Sequence, residues 1–166
     1  YGGSVVETAE TMTGTTDAAG IHRLHIDFRA VEPPEPSTVN AAATVMDVNR
    51  QAWTSQTSVL VHPAARYVGL KTDRLFVERT EPIGVDIIVT DLDGNVVPEV
   101  EVKVVAERLV WRNTGTSWGE EPADSQTCVV ASGNEPVRCT FETPEGGTYR
   151  ITATVLDDKE RPNQTQ

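Results

Sequence analysis

The chain has 166 residues, of which 38% are hydrophobic and 23% charged, with a formal net charge of −11. A surface that acidic repels phosphate backbones and anionic lipids, which disfavours nucleic acid and membrane surfaces as partners. No apolar run approaches the roughly 18 residues of a bilayer-spanning helix, so direct membrane insertion is not expected. The sequence shows no signal peptide and begins at Tyr1 rather than Met, and is expected to be a piece of something longer.

Taken in chain order, the pattern predicts strands and no helix, because apolar residues alternate with polar ones instead of recurring every three or four. Valine and threonine are plentiful, and branching at Cβ favours strands over helices. Strands are expected near 4–13 and 23–28. Pro33, Pro34 and Pro36 then make a stiff extended loop, followed by strands near 38–46 and 57–61. His62–Asp73, with Pro63, reads as a junction. Further strands are expected near 74–78, 83–90, 98–108, 125–131, 137–142 and 148–156. In the central ones Val85, Ile87 and Val89 share a face, as do Val100, Val102, Val104 and Ala106. Asp93-Gly94-Asn95, Gly133–Pro136 and Pro144–Gly147 are turns between them. Asn113–Asp124 reads as a long polar loop holding Trp118.

Two stretches echo each other 110 positions apart: Ala43–Asp47 and Ala153–Asp157 agree at four of five residues. That distance is about the size of one immunoglobulin-like sandwich. Tyr149, Ile151, Ala153 and Val155 should face inward, and the echo places Val39, Ala41, Ala43 and Val45 on the matching face. A slip of one residue would have reversed the faces. The expected fold is therefore all-β, with two immunoglobulin-like antiparallel β-sandwich modules in tandem. Residues 1–64 would be the C-terminal part of one module. Residues 65–166 would be a second module lacking its last strand, because no strand is expected after Leu156.

The candidate chemistry is sparse. Cys128 and Cys139 flank the Gly133-Asn134 turn almost symmetrically, on strands expected to be neighbours, where opposed positions lie within disulfide reach. The spacing is wrong for a zinc site, so a disulfide is expected and with it an oxidising compartment. Asp91–Asn95 resembles a calcium loop only superficially. Its glycine is fourth rather than sixth, and Val102 stands where the twelfth-position glutamate should be. His22 and His25 should point to opposite faces of a strand and cannot share a metal; His62 reads as structural. No nucleophile elbow, zinc-protease helix or phosphate loop occurs. Trp111 and Trp118 flank the long loop, as anchors or as a sugar platform. No catalytic residue, cofactor site or metal site is expected, and the protein is not expected to be an enzyme.

The run from Ala43 to Pro98, continuing through Ser125–Asp158, resembles the bacterial alpha-2-macroglobulin family. Val45–Gln51, Leu60–Pro63, Tyr67–Leu70 and Asp91–Asn95 are its most telling pieces, and their order and combined length carry the resemblance. It implies macroglobulin domains, each a seven-stranded sandwich, strung together upstream of a protease-cleavable bait region. Whole members of the family trap proteases and are endopeptidase inhibitors of bacterial defence. Some acylate the attacker through a Cys-x-x-Gln thioester. Neither cysteine here fits that pattern, and no bait segment stands out, so the implied role is scaffold. The implied partners are neighbouring macroglobulin domains and, for the whole protein, target proteases. The implied location is periplasmic or extracellular, the parent being in some cases a membrane-anchored lipoprotein. The alternative is a cell-surface adhesin or polysaccharide-binding immunoglobulin-like module, for which an exposed aromatic platform around Trp111 and Trp118 would speak.

Overall fold

The computed structural model describes residues 10–26, 33–113, 115 and 118–166. Among them there is no helix. The chain is all-β, with β1 (Ser37–Met46), β2 (Ala52–Val61), β3 (Arg66–Thr72), β4 (Ile83–Asp91), β5 (Glu101–Asn113), β6 (Trp118–Ala131), β7 (Val137–Phe141), β8 (Thr148–Leu156) and β9 (Pro162–Thr165). All pairings are antiparallel. They form a two-stranded sheet, β1-β2, a three-stranded sheet, β3-β4-β7, and a four-stranded sheet, β6-β5-β8-β9.

The larger sheets enclose one core and make a β-sandwich-like body. Alternation explains it. Val85, Ile87 and Val89 of β4 meet Val102, Val104 and Ala106 of β5, with Phe141 from β7 and Ala153 and Val155 from β8. Each strand thus buries every second residue and leaves the others to solvent. Burial of a valine or isoleucine side chain contributes about 1.5–3 kcal/mol, so this cluster is the main source of stability.

The two edges of the body are closed differently. At one, β6 and β7 are outermost in different sheets, and Cys128 and Cys139 join them with a disulfide of Cα–Cα 6.2 Å. The expected bond is present, but its expected setting, opposed positions in one antiparallel pair, is corrected. The chain switches sheets in the 132–136 turn, so the bond staples one sheet to the other. Closing a loop with a sequence separation of 11 stabilises by about 3 kcal/mol on the chain-entropy account. At the opposite edge the clamp is polar. Asn163 Oδ1 accepts the Val68 amide at 3.0 Å, and Thr165 Oγ1 donates to the Val68 carbonyl at 2.8 Å.

Further expectations are corrected. A strand does follow Leu156: β9 turns back and pairs with β8 from Leu156↔Pro162 to Ala153↔Thr165. Its polar sequence hid it, because Asn163 is buried through hydrogen bonds and not through apolar burial. The junction is four residues long, His62 to Ala65, since β3 already begins at Arg66; the strand expected at 74–78 is a loop whose Leu75 and Phe76 face water. The polar loop 113–124 is largely the extended β5–β6 hairpin, paired out to Asn113↔Trp118. In the N-terminal part, residues 10–13 and 23–26 form no strand; the remainder of those two expected strands, 4–9 and 27–28, lies outside the described residues.

Candidate functional site

The β5–β6 hairpin outreaches its neighbours. β8 pairs with β5 only as far as Leu109↔Thr148, whereas β6 accompanies β5 to Asn113. The register shifts between Glu107 and Arg108, leaving Asp124 as the extra residue on β6. Arg108 grips it, Nε donating to Asp124 Oδ2 at 2.8 Å. A bulge of this kind re-aims the strands beyond it. Past the bulge, Trp111 pairs with Glu120 and Asn113 with Trp118. Paired residues and residues two apart share a face, so both tryptophans project from the same side of the arm as diagonal neighbours. They are 64% and 65% exposed. That side continues the solvent face of the four-stranded sheet, opposite the face that buries Val102, Val104 and Ala106. Arg150 of β8 reaches Glu120 there, Nη2 to Oε2 at 3.7 Å.

The outer face of the smaller sheet is a charged row. Arg138 donates Nε and Nη2 to the two Asp86 oxygens at 2.8 and 3.0 Å, with Asp73 3.6 Å away. Hydrogen bonding from Arg138 holds the Asp86 carboxyl below its ordinary range. Gly84 makes room for this cluster, since a Cβ there would meet Asp73 Oδ2 at 2.8 Å. The β3–β4 loop curls around an open cleft of about 820 Å³. Its cations are engaged within the loop's own surroundings: Arg74 with Glu81, and Arg79 with Glu145 and the Pro144 carbonyl.

Asp157 is the most constrained charge. Its side chain is buried and accepts from the amides of Ala65, Lys159 and Arg161 and from the Arg161 guanidinium. The Arg161 hydrogen bond, above all, holds its carboxyl far below the usual range. Together with Arg66 donating to Asp158 at 2.6 Å, this fastens the start of the body to the β8–β9 turn. His62 adds a contact at the junction, Nδ1 lying 2.7 Å from Tyr67 Oη with the rings edge to face. Sequence reasoning missed Arg150 and the roles of Asp157 and Asn163, because no motif marks a polar residue that serves a turn or an edge.

Asp91 also serves a turn. Its Oδ1 accepts from the amides of Asp93 and Asn95, and Oδ2 from the Asn95 side chain. Gly94 takes φ +87, a left-handed value that glycine adopts without steric cost. The histidines are scattered: His22 lies over Gly14, and His62 is at the junction. Among the described residues no group of three or more His, Cys, Asp or Glu side chains converges as a metal site. No helix among them is long and apolar enough to cross a membrane.

In comparisons with known proteins, no family model and no solved structure matches. The chain is similar to the circularly permutated Ras protein 2 of Dictyostelium discoideum, 27% identical over 109 residues. The match spans 60% of this chain and 3% of that protein, so the chain corresponds to a small part of its length.

Proposed function

We propose that the chain is a scaffold segment of a protease-trapping, alpha-2-macroglobulin-like protein, built from immunoglobulin-like modules in tandem and carrying no catalytic role of its own. The observation that supports this reading is a duplicated hairpin. Adding 110 to the partners Ala43↔Ser55, Thr44↔Thr54, Val45↔Trp53 and Met46↔Ala52 yields Ala153↔Thr165, Thr154↔Gln164, Val155↔Asn163 and Leu156↔Pro162. The turns match as well. The Asp47 amide donates to the Gln51 carbonyl, and Asp157 to Arg161, each at 3.0 Å. Hence β1–β2 has the form of a closing hairpin, joined by a short junction to a seven-stranded body, as a string of such modules requires. Residues 1–64 and 65–166 are the two units of this reading.

The disulfide supports an oxidising location, periplasmic or extracellular. The polar residues with the most hydrogen bonds are used in turns, edges and the junction, which suits a load-carrying role. The name of the Dictyostelium protein speaks of Ras, but this sequence lacks the Gly-x-x-x-x-Gly-Lys pattern of a phosphate loop, and no nucleotide chemistry is carried over.

The test is made on the parent protein. Its gene is sequenced on both sides of this segment, and the product is mixed with trypsin. A trap is cleaved in one downstream region and retains trypsin that still hydrolyses a small peptide but not a large protein. A parent that is degraded without retaining protease, or one that consists of further sandwiches ending in a wall anchor, overturns the reading in favour of an adhesin.

A further inference from the structure

We propose that the projecting β5–β6 arm binds a neutral glycan, with the indoles of Trp111 and Trp118 as its platform. Three observations lead there; none depends on the macroglobulin reading, and glycan binding at this arm would speak for the adhesin or polysaccharide-binding alternative.

The first is geometry. Two indoles about two-thirds exposed stand on one face of the arm as diagonal neighbours, at a spacing of about 7–8 Å for such pairs. Apolar rings of this size are normally buried or given a partner. Here the arm carries them past the end of β8, clear of the core.

The second is the polar rim. Glu120 sits directly across from Trp111, and Arg150 approaches from β8 at 3.7 Å. That separation is too long for a hydrogen bond, so the carboxylate retains acceptors and the guanidinium retains donors. A flat apolar platform bordered by a carboxylate and a guanidinium matches a pyranose, which offers an apolar C–H face and a rim of hydroxyls.

The third is the elimination of other ring-bearing or apolar partners. The two tryptophans offer on the order of 300 Å² of accessible surface. A stable protein interface buries roughly 800 Å² per partner, more than the two indoles supply. Unstacked nucleic-acid bases also lie on aromatic rings, but a chain of net charge −11 repels their phosphates. The same charge disfavours acidic glycans. What remains is an uncharged saccharide held by stacking and a few hydrogen bonds.

The experiment uses the whole chain on a neutral-glycan array, followed by titration of the retained oligosaccharides with tryptophan fluorescence. Trp111→Ala and Trp118→Ala are each expected to weaken binding at least tenfold, while Trp53→Ala, a tryptophan equally exposed on β2, leaves it unchanged. Glu120→Gln combined with Arg150→Gln is expected to weaken it several-fold. Thermal melts of all variants should coincide with the parent, since both arm tryptophans lie outside the core. The proposal is overturned by an array that retains no neutral glycan, by retention of acidic glycans alone, or by binding that survives the loss of both tryptophans.

Discussion

The hairpins β1–β2 and β8–β9 have the same register and the same turn, yet opposite surroundings. Val155 and Asn163 are 1% and 2% exposed, whereas their counterparts Val45 and Trp53 are 56% and 72% exposed. In β1 and β2 only Ser37, Val39 and Val61 are even half-buried. The turn chemistry is indifferent to this contrast. Asp47 Oδ1 takes the amides of Asn49 and Gln51 at 2.8 and 2.9 Å, as Asp157 Oδ1 takes those of Lys159 and Arg161 at 2.9 and 3.0 Å. Even the cross-strand polar contact recurs, Thr44 Oγ1 to Thr54 Oγ1 and Thr154 Oγ1 to Gln164 Nε2. Local sequence therefore specifies the hairpin's turn and register, while burial requires a second sheet. A two-stranded hairpin by itself is marginal in water.

The contrast breaks most visibly at the turn aspartates. Asp157 also accepts from Ala65, at the entry to β3, so its loss takes the acceptor from three backbone amides and a guanidinium and unfastens the edge. Asp157→Ala is expected to destabilise the body by about 3 kcal/mol, and Asp47→Ala to leave the body's unfolding within about 0.5 kcal/mol. Urea unfolding followed by the core signal checks both. The effect has a pH signature. The folded-state pKa of Asp157 is depressed, so its contribution is complete above the unfolded value of about 3.9 and is lost as pH falls toward the folded one. Between about pH 5 and pH 2 the parent should therefore lose stability more steeply than Asp157→Asn. Parallel acid curves would show that the carboxylate does not serve the edge as described.

Next comes the buried face itself. Val155→Ala removes two methyl groups from a closed core and should cost about 2 kcal/mol, counting transfer and cavity. Val45→Ala, at the same position of the exposed twin, should cost less than about 0.5 kcal/mol. Equal costs would mean that the face of β1–β2 is covered in solution, which would bring its hairpin closer to its twin than the structure places it.

The same contrast explains what was legible in the sequence. β4, β5 and β8 were readable because one face of each is buried in the body, so selection for the core writes alternation into them. Val85, Ile87, Val89 and Val102, Val104, Ala106 are that signature. β9 was not readable, since Asn163 is held by a hydrogen bond from Val68 and gives no apolar signal. The outer half of the β5–β6 arm was missed for a related reason: beyond Leu109 no third strand covers it, and residues such as Gly119, Glu120 and Glu121 read as loop. β3 was hidden behind Gly69 and Lys71, with Val68 as its one fully buried side chain. The cysteine pairing was legible from the turn between them, but the passage of the chain from one sheet to the other was not. For the candidate site, the sequence placed Trp111 and Trp118 on either side of a polar stretch; only the register past the bulge set them on one face.

The smallest expected effect distinguishes the twins at a single backbone position. Arg50 and Glu160 occupy matching turn sites with φ +62 and +59, while Gly20 and Gly94 take +77 and +87 in two further Asp-led turns of the same form. A side chain in this left-handed region costs roughly 1–2 kcal/mol, part of which glycine forfeits through its greater freedom when unfolded. Glu160→Gly should therefore stabilise the body by about 0.5 kcal/mol, visible as a small rise in its urea midpoint at unchanged slope. Arg50→Gly should leave that midpoint in place and instead slow amide exchange within β1–β2, because the relief is confined to a hairpin that the body does not bury. A shift of the body's midpoint by Arg50→Gly would couple the two hairpins energetically and remove the independence on which their comparison rests.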